Sequence, residues 1–258
     1  MSKDVKTAEQ HAKGSIVLEI LAVILAGLLI FTLTYPAKLW KAEEINTKIC
    51  RENMQHIYYA ELTYLDNFLV YTDTLEKAVN FILSDPSGKA LRRFANLDSI
   101  LGQQIIKKFK KMQDLVFITI DSVDSINGAP PEYLVKRGKH IPVSSLIDSM
   151  LIFTRAFSID TSEAYIMDSL RRASPAFAAK IDSMARAKLE NLNTCPTNHE
   201  PYNIYVNNDS AIKVIKVSCP IDTAYMESIN KSFKYGFLGG LKIENHGNIE
   251  LGKESWKE

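Results

Sequence analysis

Residues 15–35 read SIVLEILAVILAGLLIFTLTY, an apolar run holding one charge, Glu19, and no proline. A helix needs about 20 predominantly apolar residues to cross ~30 Å of hydrocarbon. It also satisfies its own backbone polar groups, which that medium demands. The core helix of a soluble domain normally keeps a polar face; this stretch has none, so it is expected to sit in a membrane. A secretory signal peptide is the competing reading. The run is longer than a usual signal core, and Tyr35, Pro36, Ala37 and Lys38 follow it where a small-x-small cleavage site would stand. The segment is therefore expected to remain attached. Charge leaves its orientation open, because Lys3, Lys6 and Lys13 precede it while Lys38, Lys41, Lys48 and Arg51 follow.

Glu19 is the exception within the span. An acid at the centre of a membrane helix costs about 2.5–3.5 kcal/mol on insertion scales, and less toward an end. Two readings stand: the side chain snorkels to the interface, or it is paired and functional.

The run Lys13-Gly14-Ser15-Ile16-Val17-Leu18-Glu19 resembles the processing region of type IV pilins and type II secretion pseudopilins. That family carries a short charged leader ending in glycine, a cleavage point, and a glutamate at the fifth mature position. With Ser15 as the first mature residue, Glu19 is the fifth and Pro36 the twenty-second, where pilins commonly carry a helix-bending proline. Ser15 departs from the family's usual phenylalanine or methionine. The resemblance covers about residues 10–40 and implies several things together. A prepilin peptidase would cut after Gly14 and methylate Ser15. Glu19 would pair with the freed amine of a neighbouring pilin-like subunit and set the axial register, a well-attested use of buried ions. Pro36 would loosen the helix by removing a backbone donor. The implied protein is a single-pass bacterial inner-membrane subunit of an envelope filament or secretion apparatus, its head exported to the periplasm or cell surface. Its partners are membrane lipid, the peptidase and other subunits.

Working outward, residues 37–85 contain neither proline nor glycine, and Ile45, Ile49, Ile57, Leu62, Leu65 and Leu69 mark an apolar stripe. One spine helix is expected from Ser15 to about Tyr71, with Asp73 or Thr74 capping the next helix, LEKAVNFIL. Asp85-Pro86-Ser87-Gly88 reads as a turn and residues 89–125 mostly as helix, followed by a loop at Asn127-Gly128-Ala129-Pro130-Pro131. Helices are expected near residues 144–157 and 161–192, with Pro175 starting a fresh one. The basic run Lys107, Lys108, Lys110, Lys111 reads as a solvated helix face.

The character changes at Cys195. Residues 202–206 and 212–217 alternate in β-branched and aromatic residues around Asn207-Asn208-Asp209-Ser210, a hairpin pattern. A second hairpin is expected from GLKIE and GNIEL around Asn245-His246-Gly247. The expected fold class is α+β: a leader at 1–14, a membrane and spine helix at 15–71, a mostly helical head region at 72–194, and a β-hairpin region at 195–258. A helical stretch preceding the sheet resembles a minor pseudopilin with a helical insertion more than a plain small pilin.

Cys195 and Cys219 flank the first hairpin, each followed by proline. A disulfide between them would close a loop of about 25 residues, contribute about 3 kcal/mol, and require an oxidising compartment. Cys195, His199, Cys219 and His246 also offer zinc ligand types, but no Cys-x-x-Cys anchors them. Cys50 reads as a packing residue on the spine. No metal or cofactor is expected. The sequence lacks a Walker A loop, GxGxxG, HExxH, GxSxG and DxDxDG, and its five histidines are scattered, so no catalytic residues and no enzyme activity are expected. The net charge of +1 offers nucleic acid no attractive field. A composition of 46% hydrophobic and 24% charged residues excludes collagen-like and disordered chains. The alternative to a pilin-like subunit is a non-polymerising, single-pass anchored envelope protein with an exported binding or scaffold domain.

Overall fold

The computed structural model describes residues 3–111, 117–120, 139–156, 162–173, 175–192, 194–237 and 240–257. The fold is α+β, as the sequence pattern predicts. It has a long N-terminal helix, a series of shorter helices and a small C-terminal antiparallel sheet. The first helix, α1 (Lys3–Phe68), runs unbroken through Pro36. An 18-residue window near its start has a mean hydropathy of 2.2 and no buried residue, so this helix is long and apolar enough to cross a membrane.

The chain divides into two units, residues 1–49 with 221–246 and residues 50–220 with 247–258. In the first, Asp222 caps helix α8 (Thr223–Asn230), its side chain accepting from the Tyr225 amide at 2.7 Å. The chain then returns so that the Ile243 amide donates to Asn230 Oδ1 at 2.9 Å and Asn245 Nδ2 to the Ile221 carbonyl at 2.6 Å. His246 is buried with Nε2 3.0 Å from Glu43 Oε1. The strand expected over GLKIE is absent, its place taken by side-chain-pinned irregular backbone.

The second unit is built around residues 50–68 of α1. Asn53, Met54, Gln55, His56 and Ile57 are all buried. Five successive helical residues, each turned by about 100°, sweep the full circumference, so this part of α1 is enclosed. On one side lie the helices α2 (Leu75–Ser84), α3 (Lys89–Leu97), α4 (Ser99–Lys111), α5 (Val143–Ala156), α6 (Ser162–Ala173) and α7 (Pro175–Glu190). Arg93 on α3 pairs with Asp66, and Gln104 on α4 reaches Glu52. On another side lies the C-terminal four-stranded antiparallel sheet. Gln55 donates to Glu254 at 2.6 Å, and the Arg51 guanidinium lies 5.3 Å from the Trp256 ring centre.

The stripe expected along α1 meets the core only in part. Ile57 is buried as expected, but Ile45, Ile49 and Leu69 are exposed, and Cys50, Met54 and Ala60, outside the stripe, are buried. Enclosure on all sides removes the one-sided pattern that periodicity relies on. The helix ends in a left-handed residue, Leu69 (φ 57°), whose carbonyl accepts from Lys213 Nζ. Next to it, Asn208 in the hairpin turn exchanges two 3.0 Å hydrogen bonds with the Tyr71 backbone.

The turn at residues 85–88 forms as the sequence predicts. Asp85 accepts from the Ser87 and Ala90 amides at 2.9 and 2.8 Å, and Gly88 takes φ 65°. The mostly helical reading of residues 89–125 holds over α3 and α4 and fails at residues 117–120, which form a strand. Asp98 separates the two helices, accepting from the Leu101 amide at 2.9 Å and so capping α4. Farther on, the β-branched run of β1 (Phe117–Ile120) pairs antiparallel with β2 (Lys139–Pro142). The loop expected at 127–131 lies outside the described residues. Helices α3 to α7 close on a core that includes Phe94, Ile105, Phe109, Ile166, Met167, Leu170 and Ile181. α4 and α6 meet at Gly102, where an added Cβ would stand 2.8 Å from Glu163 Cβ. Arg171 ties α6 to α3 and α7, reaching Asn96 at 3.0 Å, Asp168 at 3.1 Å and Asp182 at 3.3 Å.

In the sheet, β3 (Asn203–Asn207) pairs with β4 (Val214–Ser218) in the register Asn203↔Ser218 to Asn207↔Val214, the hairpin read from the sequence. β4 pairs with β5 (Asn248–Glu250), and β5 with β6 (Lys253–Glu254). The second hairpin is thus shifted toward the C-terminus by several residues. Ile215, Val217 and Ile249 form its buried face.

Candidate functional site

Two separate places carry the sequence-predicted residues. The first is the start of α1. Gly14 and Ser15 lie within continuous helical backbone, Glu19 is exposed one turn farther on, and Pro36 is half-buried inside the same helix. Around them Leu18, Val23, Leu25, Leu29 and Leu33 are between 56% and 72% exposed. Such an apolar surface far exceeds the patch a soluble monomer leaves bare, and surfaces of this kind meet lipid or another protein.

The second place lies in the unit built on residues 50–68 of α1. Cys195 and Cys219 come together as the hairpin geometry predicts, and a third residue, Cys50 of α1, joins them. The three sulfurs lie within 4.8 Å of one another. All are essentially buried, at 0%, 0% and 3% exposure for Cys50, Cys195 and Cys219. Each is fixed by different means. Cys50 is held by its helix. The Cys195 amide donates to the Glu200 carbonyl at 3.0 Å beside a bridge between Thr194 and Pro201, and the Cys219 amide donates to the Gly247 carbonyl at 3.1 Å. Hydrogen bonding with Cys195 and Cys219, then burial, pushes the Cys50 thiol well above its ordinary range.

Tyr202, on the approach to β3, is buried next to Cys50 and Asn53. Its hydroxyl reaches hydrogen-bond geometry with neither. Burial, followed by the neighbouring Cys50, holds the phenol above its usual value. His199 is exposed with φ 60° and is not part of this group.

Cys50 is the residue that sequence reasoning missed. It stands 145 positions before Cys195, and no local motif links them; only the tertiary wrapping of α1 brings it in. Two buried acids were likewise unread. His56 Nδ1 bonds Asp98 Oδ2 with both side chains at 0% exposure. Glu61 Oε2 accepts from the Thr72 amide at 2.9 Å, while burial pushes its carboxyl up to about 8. The open depressions on the surface include one on the outer side of α7 near Asp182 and Arg186 and one between α2 and α7.

The chain matches no family model, no curated protein and no solved structure.

Proposed function

We propose that the protein is a pilin-like or pseudopilin-like subunit of a bacterial envelope filament or secretion apparatus, anchored and assembled through the first part of α1. The observation that carries this reading is the conjunction on one helix of Gly14-Ser15, Glu19, Pro36 and a wholly exposed apolar stretch. A membrane anchor alone requires only the apolar stretch. The acid at the fifth position after Gly14 adds nothing to anchoring and opposes insertion; in an assembly it can pair with the amine of a neighbouring subunit and fix the register. In this reading the peptidase acts at Gly14, Ser15 becomes the methylated N-terminus, and the enclosed second unit is the exported head. The helical layer α2–α7, larger than a small sheet needs for cover, supports a minor subunit over a major one.

The N-terminus of the mature protein decides the matter. Intact-mass and peptide mass spectrometry on protein from the native membrane are expected to give a chain beginning at a methylated Ser15. Retention of Met1, or cleavage elsewhere, would defeat the pilin-like reading and leave a non-polymerising anchored protein.

A further inference from the structure

Three buried cysteines in one group ask for more than packing. A disulfide uses two sulfurs about 2.05 Å apart and leaves the third as an isolated buried thiol. A tetrahedral ion with metal–sulfur bonds near 2.3 Å places its sulfurs about 3.8 Å apart. A group whose members all lie within 4.8 Å reaches that spacing by small side-chain rotations. The three come from separate, fixed pieces of backbone: a helix, the bridged segment at Thr194–Pro201, and the residue following β4. Beside them stands the buried Tyr202 hydroxyl, next to Cys50 and Asn53 but in hydrogen-bond geometry with neither. A thiol offers that donor a weak acceptor; a metal-bound thiolate, carrying negative charge, offers a much better one.

We infer that Cys50, Cys195 and Cys219 are the thiolate ligands of a zinc ion in the head of the protein. Soft sulfur ligands select zinc over magnesium or calcium, which take oxygen. Binding releases the three thiol protons to solvent and leaves three Zn–S bonds with a net charge of −1. A neutral fourth ligand, water or an imidazole, completes the tetrahedron. The Tyr202 hydroxyl donates to a ligand sulfur and offsets part of the charge. The ion ties α1 to both ends of the β3–β4 hairpin, so metal binding and folding of this unit are coupled. The site is independent of processing at Gly14: it stands or falls whether or not the chain is a pilin-like subunit.

The test uses the full chain in detergent, stripped with a chelator under reducing conditions and titrated with Co²⁺, then Zn²⁺. Expected are visible d–d bands of tetrahedral cobalt and a strong near-ultraviolet thiolate-to-cobalt charge-transfer band. Both saturate at one equivalent and are displaced by zinc. Cys50→Ser is expected to weaken binding by more than the ~10–100-fold typical of losing a partner that only supports a ligand. Because the wild-type spectrum needs no variant, a misfolded Cys50→Ser protein does not blunt the test. Saturation without a sulfur charge-transfer band, or no binding, overturns the site. So does a well-folded Cys50→Ser protein that binds as tightly as wild type. A Cys195–Cys219 disulfide in protein alkylated at lysis, before any reductant, overturns it as well.

Discussion

One helix, α1, passes through two opposite environments. In its first part the side chains are hydrocarbon and bare: Val23 is 72% exposed, Leu25 56% and Leu29 62%. In its last part the side chains are mixed and enclosed: Met54, Ile57 and Ala60 are fully buried, and so are His56, Glu61 and Thr63. Hydrophobicity and burial are thus uncoupled along a single element. The enclosed half gives its polar groups one partner each, Asp98 for His56 and the Thr72 amide for Glu61, and leaves His56 Nε2 and Glu61 Oε1 without one. The bare half needs no partners of that kind and takes its cover from outside the chain, as lipid or as the helices of other subunits in the proposed assembly. Each half can therefore be broken by a different kind of change.

The largest effect is expected from the one acid of the bare half. Glu19→Ala removes a charge from the span and is expected to leave membrane insertion intact or improved. It should abolish incorporation into assembled structures, because the neighbour's amine then has no carboxylate to register against. Membrane fractionation and recovery of sheared filaments or cross-linked oligomers measure the two outcomes separately. Normal assembly of Glu19→Ala would end the register argument while leaving the anchor in place.

In the enclosed half the corresponding change is Asp98→Ala. It strips His56 of its partner inside the core and uncaps α4 at the same time. Breaking a buried pair by removing one member costs about 3–5 kcal/mol, and losing a cap adds about 1 kcal/mol. Urea unfolding followed by helix signal is expected to show a loss of that size. Asp98→Asn keeps an oxygen for the Leu101 amide and should lose clearly less. Equal losses for the two variants would mean that the carboxylate's contact with His56, and not the cap, is what Asp98 serves.

The contrast between halves also explains what could be read from the sequence. The bare half was legible from composition alone, since nothing but hydrocarbon fills residues 20–31. Local punctuation was legible too: the Asp85–Gly88 turn, the start of α7 at Pro175 and the β3–β4 hairpin all stand where their residues put them. The enclosed half was not. A helix buried on every side has no apolar stripe to detect, so exposed Ile45 and Ile49 stand out in the sequence while buried Cys50 and Met54 do not. The ion partner of Asp98 is invisible locally, because His56 lies 42 residues away. Strand β1 hid inside an apparent helix because its choice depends on pairing with Lys139–Pro142. Cys50 entered the cysteine group for the same reason: contacts made across the fold leave no local spacing behind.

The smallest and most conditional effect concerns Glu61. Burial raises its carboxyl from the ordinary 4.5 to about 8, with the Thr72 amide opposing and Asp73 adding to the rise. The folded state therefore holds this proton more tightly than the unfolded chain does. Its contribution is fully present below about pH 4.5, declines as pH rises, and is gone above about 8. Across that window the unfolding free energy of the wild type should fall by up to a few kcal/mol from this group. Glu61→Gln keeps an acceptor for the Thr72 amide and cannot ionise. It should flatten the dependence and stabilise the protein relative to wild type at pH 8, with little difference at pH 5. Thermal unfolding of both proteins from pH 5 to 8 measures this directly. Parallel curves would mean that Glu61 reaches water or a cation in solution, and that the last part of α1 is less enclosed than its burial indicates.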